Sequence, residues 1–174
     1  LVLAEVLVRS IQPVPLAEML PLPHHQAEIA RLASREAYLR FDQEVGWSQE
    51  PNARTVDDGI VFRANAAGFR AEREYSPEPP PGVRRVAAFG DSFTHCDEVN
   101  LEDCWTTHLE AAWERSEVLN FGVPATPPDQ GWLRYQRDGR PLQPCAVLIN
   151  FQVENVNRLV NRYRPFYAPR TGVA

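Results

Sequence analysis

From Arg84 onward, short apolar runs alternate with segments whose apolar residues recur at helical spacing. Val86 to Phe89 is an apolar run of strand length that stops at the polar Gly90-Asp91-Ser92. Leu101 to Arg115 places Trp105, Leu109, Ala112 and Trp113 near helical spacing, which predicts a helix. Glu117 to Val123 reads as a second strand and Asp129 to Arg137 as a second helix carrying Trp132, Leu133 and Tyr135. Cys145 to Phe151 reads as a third strand. Strands alternating with helices predict an α/β fold with a parallel sheet and right-handed crossovers. The three tryptophans Trp105, Trp113 and Trp132 are expected in the core or between helices.

Upstream the pattern changes. Pro77, Pro79, Pro80 and Pro81 make Ser76 to Gly82 a stiff, extended linker. It divides the chain into an arm, residues 1–82, and an α/β domain, residues 83–174. Within the arm, His24 to Arg40 predicts a helix with Ile29, Leu32, Ala33, Ala37 and Leu39 along one stripe. Phe41 to Arg70 breaks into short apolar pieces between Gly46, Pro51, Asn52, Asp57-Asp58-Gly59 and Asn65. That punctuation predicts a small irregular or β-hairpin module. Pro13, Pro15, Pro21 and Pro23 mark an extended connector. Leu1 to Arg9 is too short to span a bilayer, which takes about 20 apolar residues. It fits either the end of a membrane helix or a short amphipathic helix packed on its own domain.

Charge narrows the partners. The net charge is −5, so there is no basic footprint for nucleic acid. Cys96, Cys104 and Cys145 follow no zinc spacing, and no metal or cofactor is expected. Cys96 and Cys104 pair if the domain is exported; free thiols are the expectation. Cys145, at the head of an apolar run, reads as a small buried hydrophobe. His24 and His25 point in different directions at a helix start and do not form a metal pair.

The chemistry collects at the strand ends, where open parallel sheets bind their ligands. The first strand ends in Gly90-Asp91-Ser92, the second in Asn120-Phe121-Gly122, and the third is followed by Glu154-Asn155. Acyl transfer needs a nucleophile together with donors aimed at the developing oxyanion. Ser92 offers a hydroxyl and a backbone N–H, Gly122 a second N–H, and Asn155 a side-chain amide. Asp91 is expected to order the loop. Each residue also has a plainer reading: Ser92 and Asn155 as helix caps, Gly122 as a tight turn.

In that order and on successive strands, Gly90-Asp91-Ser92, Gly122 and Asn155 resemble the first three blocks of the SGNH (GDSL-type) hydrolases. Asp103-Cys104-Trp105 through Leu109-Glu110 matches the family's helix after the first block. The arm, with Asp42, Gly46-Trp47, Pro51-Asn52, Asn65 and Gly68-Phe69-Arg70, is similar to one preceding this domain in bacterial, often membrane-anchored, members. The resemblance implies a three-layer α/β/α, flavodoxin-like sheet. It also implies a serine that attacks an ester carbonyl, with Ser92, Gly122 and Asn155 forming the oxyanion hole.

The family's Gly-x-Asn-Asp reads Val153-Glu154-Asn155-Val156 here, and its closing Asp-x-x-His block has no match. The expectation is therefore an incomplete domain belonging to a longer chain. His95 and His108 are the candidate substitutes for the missing base, and neither is expected to reach the hydroxyl. The expected function is a serine ester hydrolase of the cell envelope acting on an ester-bearing small molecule, lipid or glycan. Membrane or membrane-protein contact is expected through the N-terminus. The alternative is a non-catalytic structural or binding subunit of a membrane-associated assembly.

Overall fold

The structure, a computed structural model, describes residues 38 to 160. The opening apolar segment, the proline connector and most of the helix expected over residues 24–40 lie outside the described residues.

The first described elements form a hairpin. β1 (Leu39–Asp42) pairs antiparallel with β2 (Gly46–Gln49), with Asp42 opposite Gly46. Leu39 and Arg40, expected at the end of a helix, are therefore strand. Asp42 Oδ1 accepts the backbone N–H groups of Glu44 and Val45 and closes the turn, which commits the residues before it to the hairpin. A second hairpin joins β3 (Arg54–Asp57) to β4 (Ile60–Arg63). Its turn residues Asp58 and Gly59 both have positive φ, +48° and +79°, the twist that a two-residue hairpin loop requires.

The parallel sheet consists of β5 (Arg84–Phe89), β6 (Ser116–Asn120) and β7 (Ala146–Ile149) in the order β6-β5-β7. Val86 of the central strand lies opposite Val118 on one side and Ala146 on the other. Among the described residues, four α-helices accompany the strands. They are α1 (Ser92–His95), α2 (Trp105–Ala112), α3 (Pro128–Arg134) and α4 (Val153–Val160). The fold is thus mixed α/β with a small parallel sheet.

The helix expected from Leu101 to Arg115 is shorter and preceded by a 3-10 turn, Leu101–Asp103. The interruption is Cys104, which is extended (ψ 139°) and bonded to Cys96, so the expectation of free thiols at this pair is corrected. Cys145, expected buried, is an exposed free thiol. Trp105 and Trp132 are also outside the core, at 39% and 50% exposure.

Phe89, Leu119 and Phe121 form the main core with Ala87, and Phe69 and Ala71 of the arm complete it. The Phe69 and Phe121 rings lie 4.4 Å apart, and Phe121 stacks on Phe89 at 4.8 Å. Buried arginines tie arm to sheet. Arg134 donates to the carbonyls of Phe121 (3.0 Å) and Gly68 (2.5 Å), and burial pushes its guanidinium down to about 10. Arg85 donates to the carbonyls of Ser76, Pro77 and Leu142 and so anchors the start of the proline-rich linker. The described part of the arm and the sheet belong to one compact unit.

Arg137 reaches from the turn after α3 to Asp42 (2.8 Å). Burial favours the neutral acid at Asp42, but the Arg137 hydrogen bond and the N–H groups of Val45 and Glu44 outweigh it. They hold the carboxyl well below the usual carboxylate range. The folded value lies below the unfolded one. The stabilisation is therefore present above the ordinary aspartate pKa of about 3.9 and is lost as the pH falls through the folded value. Thermal melts of Asp42→Asn are expected to fall less between pH 4 and pH 2 than those of the wild type; parallel falls would contradict the assignment.

Candidate active site

The loop after β7 and the start of α4 meet the end of β5 at Asp91. It directly follows Gly90 at the end of β5 and is 1% exposed. Its Oδ1 accepts the N–H of Phe93 at 3.1 Å, so Asp91, not Ser92, is the N-cap of α1. Its Oδ2 accepts from Gln152 Nε2 (2.5 Å), Asn155 Nδ2 (3.0 Å) and Arg158 (2.9 Å). A carboxylate removed from water needs such partners. Three donors from β7's trailing loop and α4 meet here on the residue before Ser92. Arg158 is the functional-site neighbour that the sequence reading missed. The available signal was its spacing, three residues after Asn155 on one helix, a distance that puts both on one face.

Asn155 is 1% exposed and holds two roles. Its Oδ1 accepts the Gln152 backbone N–H at 2.8 Å, the reciprocal half of a capping box at the start of α4. Its amide gives one N–H to Asp91. A primary amide carries two N–H donors, so a second one is left for another acceptor.

Gly122 is placed for close approach. A Cβ there would lie 2.2 Å from the His95 nitrogen and 2.6 Å from the Thr94 carbonyl carbon, so the chain after β6 runs directly against the backbone of α1. Its own N–H donates to Asn120 Oδ1 at 3.0 Å and its carbonyl accepts from Gln49 Nε2 at 2.6 Å. The N–H expected to face an oxyanion is thus engaged inside the protein. Three residues further on, Ala125 has φ +66°, and its N–H makes no hydrogen bond among the described residues. The turn that carries it is pinned to the end of β5, because Val123 N–H donates to the Gly90 carbonyl at 2.9 Å.

Ser92 is partly exposed, and its hydroxyl and N–H make no hydrogen bonds among the described residues. It borders a cleft of about 300 Å³ whose walls include Phe93, Val99 and Trp105 and the carboxylates of Asp97, Glu98 and Asp103. His95 is not aimed at it. The imidazole is fully buried, with Nδ1 on Asp97 (2.5 Å), Nε2 on the Tyr38 hydroxyl (2.9 Å), and the ring stacked on Phe62. Arg70, also buried, donates to the carbonyls of His95, Cys96 and Val99 and holds this segment in place. His108 is exposed on α2. Neither imidazole bonds to the Ser92 hydroxyl.

Among the described residues there is no cluster suited to a metal ion and no helix long and apolar enough to cross a membrane. Compared with known proteins, the chain matches no family model and no curated protein.

Proposed function

We propose that this protein is a serine ester hydrolase or acyl-transfer module of the SGNH type, with Ser92 as its nucleophile. One observation carries the reading: a partly exposed, unbonded serine hydroxyl follows the central strand of a parallel sheet, beside a turn with an unbonded N–H. Ser92 Oγ bonds to the carbonyl carbon as its proton passes to a base. The oxyanion receives the N–H groups of Ser92 and Ala125 and the second amide N–H of Asn155. The alkoxide then leaves with the proton, and water releases the acid from the acyl serine. Gly122 serves by letting the turn approach α1. Both His95 nitrogens are engaged, so His95 is not that base, and no imidazole among the described residues bonds to the Ser92 hydroxyl. The strand order and alternating helices support a flavodoxin-like layering around this site.

Acidic residues Glu98 and Asp103 line the cleft beside apolar rings, which suits an uncharged ester better than an acidic one. The Cys96–Cys104 bond supports an oxidising, extracytoplasmic compartment. A second reading, a non-catalytic binding or structural subunit, is favoured by the sealed position of His95.

The test is turnover of a short-chain aryl ester by the full-length protein. Wild type is expected to be active and Ser92→Ala to lose at least about a thousandfold in kcat, as removal of a nucleophile does. Equal rates, or none from the wild type, would support the non-catalytic reading.

A further inference from the structure

We infer that Trp47, in the N-terminal arm, is the positioning residue for the oxyanion donor of this site. The inference rests on the hydrolase reading for the donor's role, while the geometry behind it stands separately. Val123-Pro124-Ala125-Thr126 forms a turn closed by Thr126 N–H on the Val123 carbonyl at 3.3 Å. Proline at its second position fixes a negative φ there, and Ala125 at its third has φ +66°. That is the type II pattern, in which the third position calls for glycine or asparagine. Alanine in the left-handed region is strained. The type I turn has negative φ at that position and suits alanine, and it differs chiefly by a flip of the Pro124–Ala125 peptide.

Something outside the turn therefore selects the strained form, and the structure contains it. Trp47 Nε1 donates to the Pro124 carbonyl oxygen at 2.9 Å. That carbonyl and the Ala125 N–H belong to one planar trans peptide and point in opposite directions. Holding the oxygen on the arm therefore fixes the direction of the N–H. Gln49, two residues along the same strand, holds the Gly122 carbonyl at 2.6 Å and anchors the start of the loop. Val123 N–H on the Gly90 carbonyl, 2.9 Å, ties the turn to β5, and the Thr126 hydroxyl at its end lies within hydrogen-bond distance of both the Val123 and the Gly90 carbonyls. Between these anchors, Trp47 is what sets the central peptide. The arm thus acts on the site by orienting a backbone donor that it does not itself contain.

The experiment compares full-length wild type, Trp47→Phe and the double variant Trp47→Phe/Ala125→Gly. Each is assayed on a short-chain aryl ester, and Trp47→Phe is also crystallised. Phenylalanine keeps an aromatic ring but removes the N–H. Trp47→Phe is expected to lower kcat about tenfold with KM unchanged, less than the hundredfold or more seen when an oxyanion donor is deleted outright. Glycine at 125 favours the type II turn by itself and is expected to restore kcat to within about twofold. In the Trp47→Phe crystal structure, φ of residue 125 is expected to become negative. A merely structural tryptophan would show falling stability with no selective rescue by glycine. Wild-type kcat in Trp47→Phe, or a loss that glycine does not restore, overturns the inference while leaving the hydrolase reading intact. If the wild type has no turnover, the donor role falls with that reading. The crystal structure then decides the geometry, and a residue 125 that keeps φ near +66° refutes it.

Discussion

Replacing Gly122 with alanine is expected to cost about 3 kcal/mol or more, at or beyond the upper end of overpacking substitutions. The added Cβ would lie 2.2 Å from the His95 nitrogen and 2.7 Å from its Cα. These are backbone atoms, so no rotamer change relieves the contact. α1 cannot retreat easily, since Arg70 holds the carbonyls of His95 and Cys96, and Asn120 Nδ2 holds that of Thr94 at 2.7 Å. The loop cannot retreat either, since Gln49 grips the Gly122 carbonyl. Against a total stability of about 5–15 kcal/mol, most of the margin is at risk. Urea denaturation would show a lowered midpoint at unchanged slope; a wild-type midpoint would mean that the loop and α1 are not in contact.

Asp91→Ala is the second large effect, about 3–5 kcal/mol, the usual cost of removing one partner of a buried ion pair. The loss is broader than one contact. Among the described residues Arg158 would keep only Glu154, through an i,i+4 pair whose carboxylate is half exposed. Asn155 and Gln152 would lose their acceptor, and α1 its N-cap. Asp91→Asn keeps the shape and the cap oxygen, so it is expected to cost less. Its amide N–H groups would meet those of Asn155 and Gln152, so part of the loss remains. Ranking the three proteins by denaturation midpoint checks this. An alanine variant no weaker than the asparagine variant would show that Asp91 is not the joint between the strand ends.

The parallel sheet was legible because its strands are apolar runs bounded by polar breaks, and β5 is buried from Arg85 to Phe89. The meeting of Asp91 and Asn155 followed from topology, since parallel strands end side by side. Their hydrogen-bond duties did not follow. An N–H on a strand end looks free in one dimension, and only the fold reveals that Asn120 folds back onto Gly122. Leu39 and Arg40 were misread for a similar reason. The apolar spacing of residues 29–39 suits a helix, and the competing signal is the turn that Asp42 closes through its side chain. The Cys96–Cys104 bond depends on a chain reversal that spacing alone does not specify: Cys96 is left-handed, with φ +65°, and brings its Cα within 5.7 Å of that of Cys104. Trp105, expected in the core or between helices, is partly exposed and links α2 to α1 through its indole N–H on the Phe93 carbonyl at 3.2 Å.

Covalent capture tests Ser92 as a nucleophile most directly. The full-length protein would be treated with a fluorophosphonate, and the modified peptide identified by mass spectrometry. The account predicts one phosphonyl group per chain, on Ser92, and none on Ser92→Ala. A wild type left unmodified, or a label on another residue that persists in Ser92→Ala, would contradict it.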